Sequence, residues 1–129
     1  MKVSDFTLKI YETLCISILD SSFKFQTVYD SIVSDCEKTK IAIMRHDVDA
    51  KPLNSLRMAQ MEASLGIKST YYFRFKKGVY DPEIMTGIFN LGHEIGYHYE
   101  VLSETKGDSD KAIKLFEKQL SEFRQIIPV

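Results

Sequence analysis

The chain alternates between stretches whose apolar residues recur every three or four positions and short runs that are apolar or aromatic throughout. The first kind reads as amphipathic helix and the second as buried strand. Phe6, Ile10, Leu14 and Ile18 share one face of a first helix that runs to about Leu19, with Ser4 or Asp5 as its cap. Thr27 is placed to cap a shorter helix from Val28 to about Ser34, and the stretch Ser34–Lys40 is polar loop. Ile41–His46 then reads as the first buried strand. Pro52 suits the first turn of a helix whose apolar positions are Leu53, Leu56, Ala59, Met61 and Leu65, and Gly66 is its natural stop. Ser69–Phe75 is rich in β-branched and aromatic residues, as a strand requires. Asp81-Pro82 opens a helix to about Asn90, Glu94–His98 is a short third strand, and Asp108 or Ser109 caps a last helix. The apolar stripe of that last helix is Ala112, Ile113, Phe116, Leu120 and Phe123.

From Ile41 onward the order is strand, helix, strand, helix, strand, helix. Such alternation predicts an α/β fold with parallel strands, right-handed crossovers and flanking helices. Sites in these folds lie at the carboxyl ends of the strands. Two polar clusters fall there: Arg45-His46-Asp47-Val48-Asp49 and Gly92-His93-Glu94-Ile95-Gly96-Tyr97-His98-Tyr99-Glu100. Side chains alternate along a strand, so Asp47 and Asp49 share a face. Two carboxylates placed that way repel unless a cation or shared proton intervenes. Asp-x-Asp after one strand and His-x-Glu after another together suit a divalent metal.

Each residue also has a structural reading. Asp47 and Asp49 could cap the helix at Pro52, His98 could bond a backbone carbonyl at a strand end, and Glu100 could be a solvated loop residue. His93 lies about 16 Å from His98 along an extended strand and on the opposite face, so it is expected to be structural. His46 has the wrong parity for the carboxylate face and should point at the helical layer. Arg45 shares that face and can pair with Asp47 or Asp49, holding them ionised. Arg74, at the end of the second strand, can do the same or contact substrate. Tyr71, Tyr72, Phe73 and Phe75 resemble a sugar-stacking platform, but at strand spacing they read as core.

A length of 129 residues predicts one domain. The net charge of −1 argues against a nucleic-acid partner. The apolar runs are too short to span a bilayer. Lys9 and Glu12 interrupt any signal-peptide core, and Cys15 and Cys36 lack metal or redox spacing. These points predict a cytoplasmic chain with reduced thiols.

The blocks RHDVDA, STYYFRF and GHEIGYHYE resemble the polysaccharide deacetylases, the NodB-like carbohydrate esterases of family 4. The resemblance covers roughly Ile41 to Phe123. It implies part of an irregular (β/α) barrel over 41–129, preceded by a helical extension over 1–40. It implies a metal-dependent hydrolase that removes acetyl groups from N-acetylated sugars or glycan precursors. Asp47 matches the family's catalytic base, Asp49 its metal-binding aspartate, and His98 the first histidine of His-x-x-x-His. The implied metal set is Asp49, His98 and Glu100 around zinc, with cobalt or nickel as substitutes. Arg45 and Arg74 are the expected substrate contacts. The family's second histidine falls at Leu102, which cannot bind metal, so Glu100 or a group from another strand must replace it. Val129 comes after three expected strands, before the family's arginine-bearing loop and general-acid histidine. The expectation is therefore a truncated half-domain with an uncovered sheet edge, prone to self-association. The competing expectation is a sugar-binding, metal-binding or protein-interaction module without turnover.

Overall fold

The structure, a computed structural model, describes residues 6–34 and 40–129. Ser4, Asp5 and Cys36, named above as caps and a thiol, lie outside them. Among the described residues the elements are α1 (Leu8–Asp20), β1 (Lys24–Gln26), α2 (Val28–Val33), β2 (Ile41–Ile43), β3 (Arg45–Val48) and α3 (Pro52–Ser64). They continue with β4 (Thr70–Arg74), α4 (Pro82–Asn90), β5 (Glu94–His98), α5 (Val101–Glu104) and α6 (Ser109–Ile126). The fold is mixed α/β with parallel strands in two small open sheets, one β1-β2 and one in the order β3-β4-β5.

The expected first strand, Ile41–His46, is divided. Ile41–Ile43 pairs with β1, a strand that the sequence pattern did not reveal, whereas Arg45–Val48 pairs with β4. Met44 stands at the break and passes its carbonyl to Thr70 N at 3.0 Å. Periodicity finds an extended segment but is blind to a change of pairing partner along it. The 1–40 stretch therefore holds a strand as well as helices.

Strand parity sorts the larger sheet into two faces. His46, Val48, Tyr71, Phe73, Ile95 and Tyr97 lie on one face, and the last five join the core with Ala59, Met85, Ile88 and Phe123. Tyr71 and Phe73 are fully buried and Phe75 packs against the same cluster, so these three are core as expected, whereas Tyr72 is turned by strand parity to the opposite, polar face. The other face carries three cross-strand rows: Arg45–Thr70–Glu94, Asp47–Tyr72–Gly96, and Arg74–His98 with Asp49 just past the end of β3.

The amino end of that polar face is closed by α2. Three of its free N–H groups find acceptors: Val28 N on Thr70 Oγ1 at 2.9 Å, Tyr29 N on Glu94 Oε2 at 3.1 Å, and Asp30 N on Thr27 Oγ1 at 3.0 Å. Thr70 and Glu94 are thus occupied, and open chemistry is left to the carboxyl end. Gly96 keeps the middle row flat: a Cβ there would stand 2.4 Å from the Tyr72 ring.

Helix capping follows the sequence at α4 and α6. Asp81 accepts from Glu83 N and Ile84 N, and Asp108 from Lys111 N. Gly66 takes a left-handed φ of 73° past the end of α3. α1 departs from expectation. Its side-chain cap is Thr7, Phe6 stands outside the helix, and Ile10 and Leu14 are exposed. The helix instead buries Cys15 and turns Tyr11 inward, because Tyr11 hydroxyl donates to Glu62 Oε2 at 2.8 Å. On α6, Ile113 is exposed, and Gln119 is buried in the stripe as the acceptor of the Tyr97 hydroxyl.

Candidate metal centre

Asp47 and Asp49 do not cap α3. Its N-cap is Lys51, which makes no side-chain capping bond and adopts a left-handed φ of 48°. That conformation turns the chain sharply after Asp49 and leaves both carboxylates on the polar face. His98 enters from the end of β5, and Glu100 follows two residues later. The donor atoms of Asp49, His98 and Glu100 all lie within 4.8 Å of one another.

His98 Nε2 is 3.8 Å from Asp47 Oδ2 and 3.9 Å from Asp49 Oδ1. Both separations exceed a hydrogen bond, so the imidazole is not committed to either carboxylate. In a tetrahedral zinc site with bonds of roughly 2.0–2.2 Å, neighbouring ligand atoms stand about 3.5 Å apart. The Asp49–His98 pair needs only a small closure to reach that spacing. One imidazole and two carboxylates suit a borderline divalent ion such as zinc. The triad is therefore chemically and geometrically able to hold a metal ion.

Asp47 stands beside the triad rather than in it. Its Oδ1 accepts from Arg45 Nε at 2.9 Å, which leaves Oδ2 toward His98. The hydrogen bond to Asp47 raises Arg45 further above its ordinary value, and its guanidinium lies 4.3 Å from the centre of the Tyr72 ring. Arg45 thus holds Asp47 in place. Arg74, from the middle strand, donates through Nη2 to Glu100 Oε2 and has Nε 3.7 Å from Asp49 Oδ1. Leu102 is exposed on α5 and contributes no ligand atom. The carboxylate that joins the cluster is Glu100.

The other two histidines are used elsewhere. His93 is buried, its Nδ1 accepting from Ser69 N at 3.0 Å and its Nε2 donating to the Ala59 carbonyl at 2.8 Å. A ring bonded that way is a neutral imidazole with one fixed tautomer. His46 points into the helical layer, as parity predicts. There its Nε2 lies 3.2 Å from Glu62 Oε2 and 3.3 Å from the Tyr11 hydroxyl.

Glu62 was not found by sequence reasoning. It is fully buried and also accepts from the Ser69 and Tyr71 hydroxyls. Burial pushes its carboxyl up, but the hydrogen bond and charge of His46, with the Ser69 and Tyr71 bonds, outweigh it and hold the group below the ordinary glutamate value. Burial and the charge of Glu62 push Tyr11 and Tyr71 far above the usual phenol range. The only signal in the sequence is a glutamate on the apolar face of α3, three positions after Ala59.

Comparison of the chain with family models, curated proteins and solved structures finds no match. No helix among the described residues is long and apolar enough to cross a membrane.

Proposed function

We propose that this chain carries a divalent-metal centre of the polysaccharide deacetylase kind, on part of a (β/α) barrel, serving hydrolysis of the acetamide of an N-acetylated sugar. The observation that carries the reading is the convergence of Asp49, His98 and Glu100 at the carboxyl ends of β3 and β5, with Asp47 alongside. Asp49, His98 and Glu100 would hold the ion. A bound divalent ion would supply Lewis acidity, acidifying a water and polarising the acetyl carbonyl. Asp47, with one oxygen fixed by Arg45, offers its other oxygen as the base that takes the water's proton. Arg45 and Tyr72 form the wall of the polar face next to that base.

A second reading is a metal- or sugar-binding module without turnover. It is favoured by the engagement of His46 and His93 in the helical layer, which leaves no second histidine among the described residues to protonate a leaving amine. The two readings share the metal centre and differ in turnover. Zinc titration followed by an acetate-release assay on an N-acetylated sugar separates them. Zinc binding with little acetate release would favour the module. Robust release would favour the enzyme, and equal zinc affinity in wild type, Asp49→Ala and His98→Ala would remove the centre from both.

A further inference from the structure

Arg74 occupies the middle of the row that forms the centre. β4 lies between β3 and β5, so its last residue has Asp49 on one side and His98 directly across on the other. The guanidinium engages both carboxylates of the triad: Nη2 on Glu100 Oε2, and Nε at 3.7 Å from Asp49 Oδ1. Asp49 Oδ1 is also the oxygen that faces His98 Nε2. The same two carboxylates are therefore offered to a guanidinium and to a metal ion.

A guanidinium does not lose its proton in proteins, so the conflict is not relieved by pH. A divalent ion placed among the three donors would meet a fixed positive charge within a few ångströms, and the two repel strongly in a partly buried site. Arg45 does not share this position, because Asp47 and Tyr72 hold its guanidinium at the middle row.

Resting on the metal-centre reading above, we propose that Arg74 is a built-in competitor for the ion, and that a divalent metal binds Asp49 and Glu100 only in exchange for its guanidinium. Arg74 then sets the metal affinity of the centre and is not a simple substrate contact.

The test is calorimetric titration of zinc into wild type, Arg74→Gln, Asp49→Ala and Arg57→Gln. Arg57 is exposed on α3, where it bonds Asn54, and controls for loss of a positive charge in general. Removing the competing charge-assisted bond should raise zinc affinity about ten- to hundredfold in Arg74→Gln. Arg57→Gln should match wild type, and Asp49→Ala should bind more weakly. Equal or weaker binding in Arg74→Gln, with Asp49→Ala still impaired, overturns the proposal and leaves the metal centre standing. A matching rise in Arg57→Gln overturns it as a general charge effect. Absence of binding in every protein overturns both. The wild type supplies a readout that does not depend on a variant folding. The Arg74 Nε–H resonance should shift in step with zinc occupancy, and an unmoved resonance at saturating zinc overturns the exchange.

Discussion

His93 and His98 lie five positions apart, and their surroundings give them opposite work. Both ring nitrogens of His93 are bonded to backbone, whereas His98 faces two carboxylates beyond hydrogen-bond distance. His93→Ala leaves the buried Ser69 N–H without its partner, worth about 1–3 kcal/mol, and empties a buried ring position beside the Ala59 carbonyl, which keeps its bond within α3. Denaturant unfolding should therefore show a loss of a few kcal/mol, with zinc affinity per folded molecule unchanged. Asp49→Ala and His98→Ala should do the reverse. Zinc affinity should fall at least tenfold in calorimetry, while stability changes little because both side chains are partly exposed.

At the scale of elements, α1 and β5 show what fixes a face. α1 has an apolar stripe, yet it turns part of that stripe outward. Leu8, Ile10 and Leu14, with Asn54, Arg57 and Met58 of α3, line an open groove of about 790 Å³. Its orientation follows the bond from Tyr11 to Glu62. Ile10→Ser should accordingly cost less than about 0.5 kcal/mol in urea unfolding, as for most surface changes. Tyr11→Phe, which removes a donor from a buried carboxylate, should cost about 1.5–3 kcal/mol. On β5, Gly96→Ala drives a methyl into the Tyr72 ring. The ring must shift, and with it the support of Arg45 on Asp47. A loss of about 1–3 kcal/mol is expected from the overpacking, measured by thermal or urea unfolding.

At the scale of the whole molecule, Glu62 joins α1, α3, β3 and β4 through one carboxylate. Because its folded-state value lies below the ordinary one, its stabilising contribution is fully present above the ordinary glutamate range. It is lost as pH falls through the lower folded-state value. Urea unfolding measured over falling pH should show this acid loss in wild type, and Glu62→Gln should flatten it. Glu62→Ala strands several buried donors and should cost about 3–5 kcal/mol at neutral pH. The outer edge of β5 pairs with no strand among the described residues. It borders a groove of about 710 Å³ lined by Phe89, Phe116, Leu120 and Val129. β5 carries no proline or lysine to guard that edge, and sedimentation velocity at rising concentration should show reversible self-association.

β4, β5, the starts of α3, α4 and α6, and the face shared by Asp47 and Asp49 are legible in the chain. These rest on strand parity, proline and caps, which act over a few residues. The sequence also places His98 and Glu100 at a strand end, which in a parallel fold is a site. The break at Met44, the outward turn of α1 and the burial of Glu62 arise only from packing between elements. Those outcomes depend on which partner a segment meets in space, and a partner on another element leaves no local pattern. The position of Arg74 is of the same kind. A strand-end arginine is visible in the chain, but only the order β3-β4-β5 sets it between Asp49 and His98, where it meets the carboxylates that a metal would need.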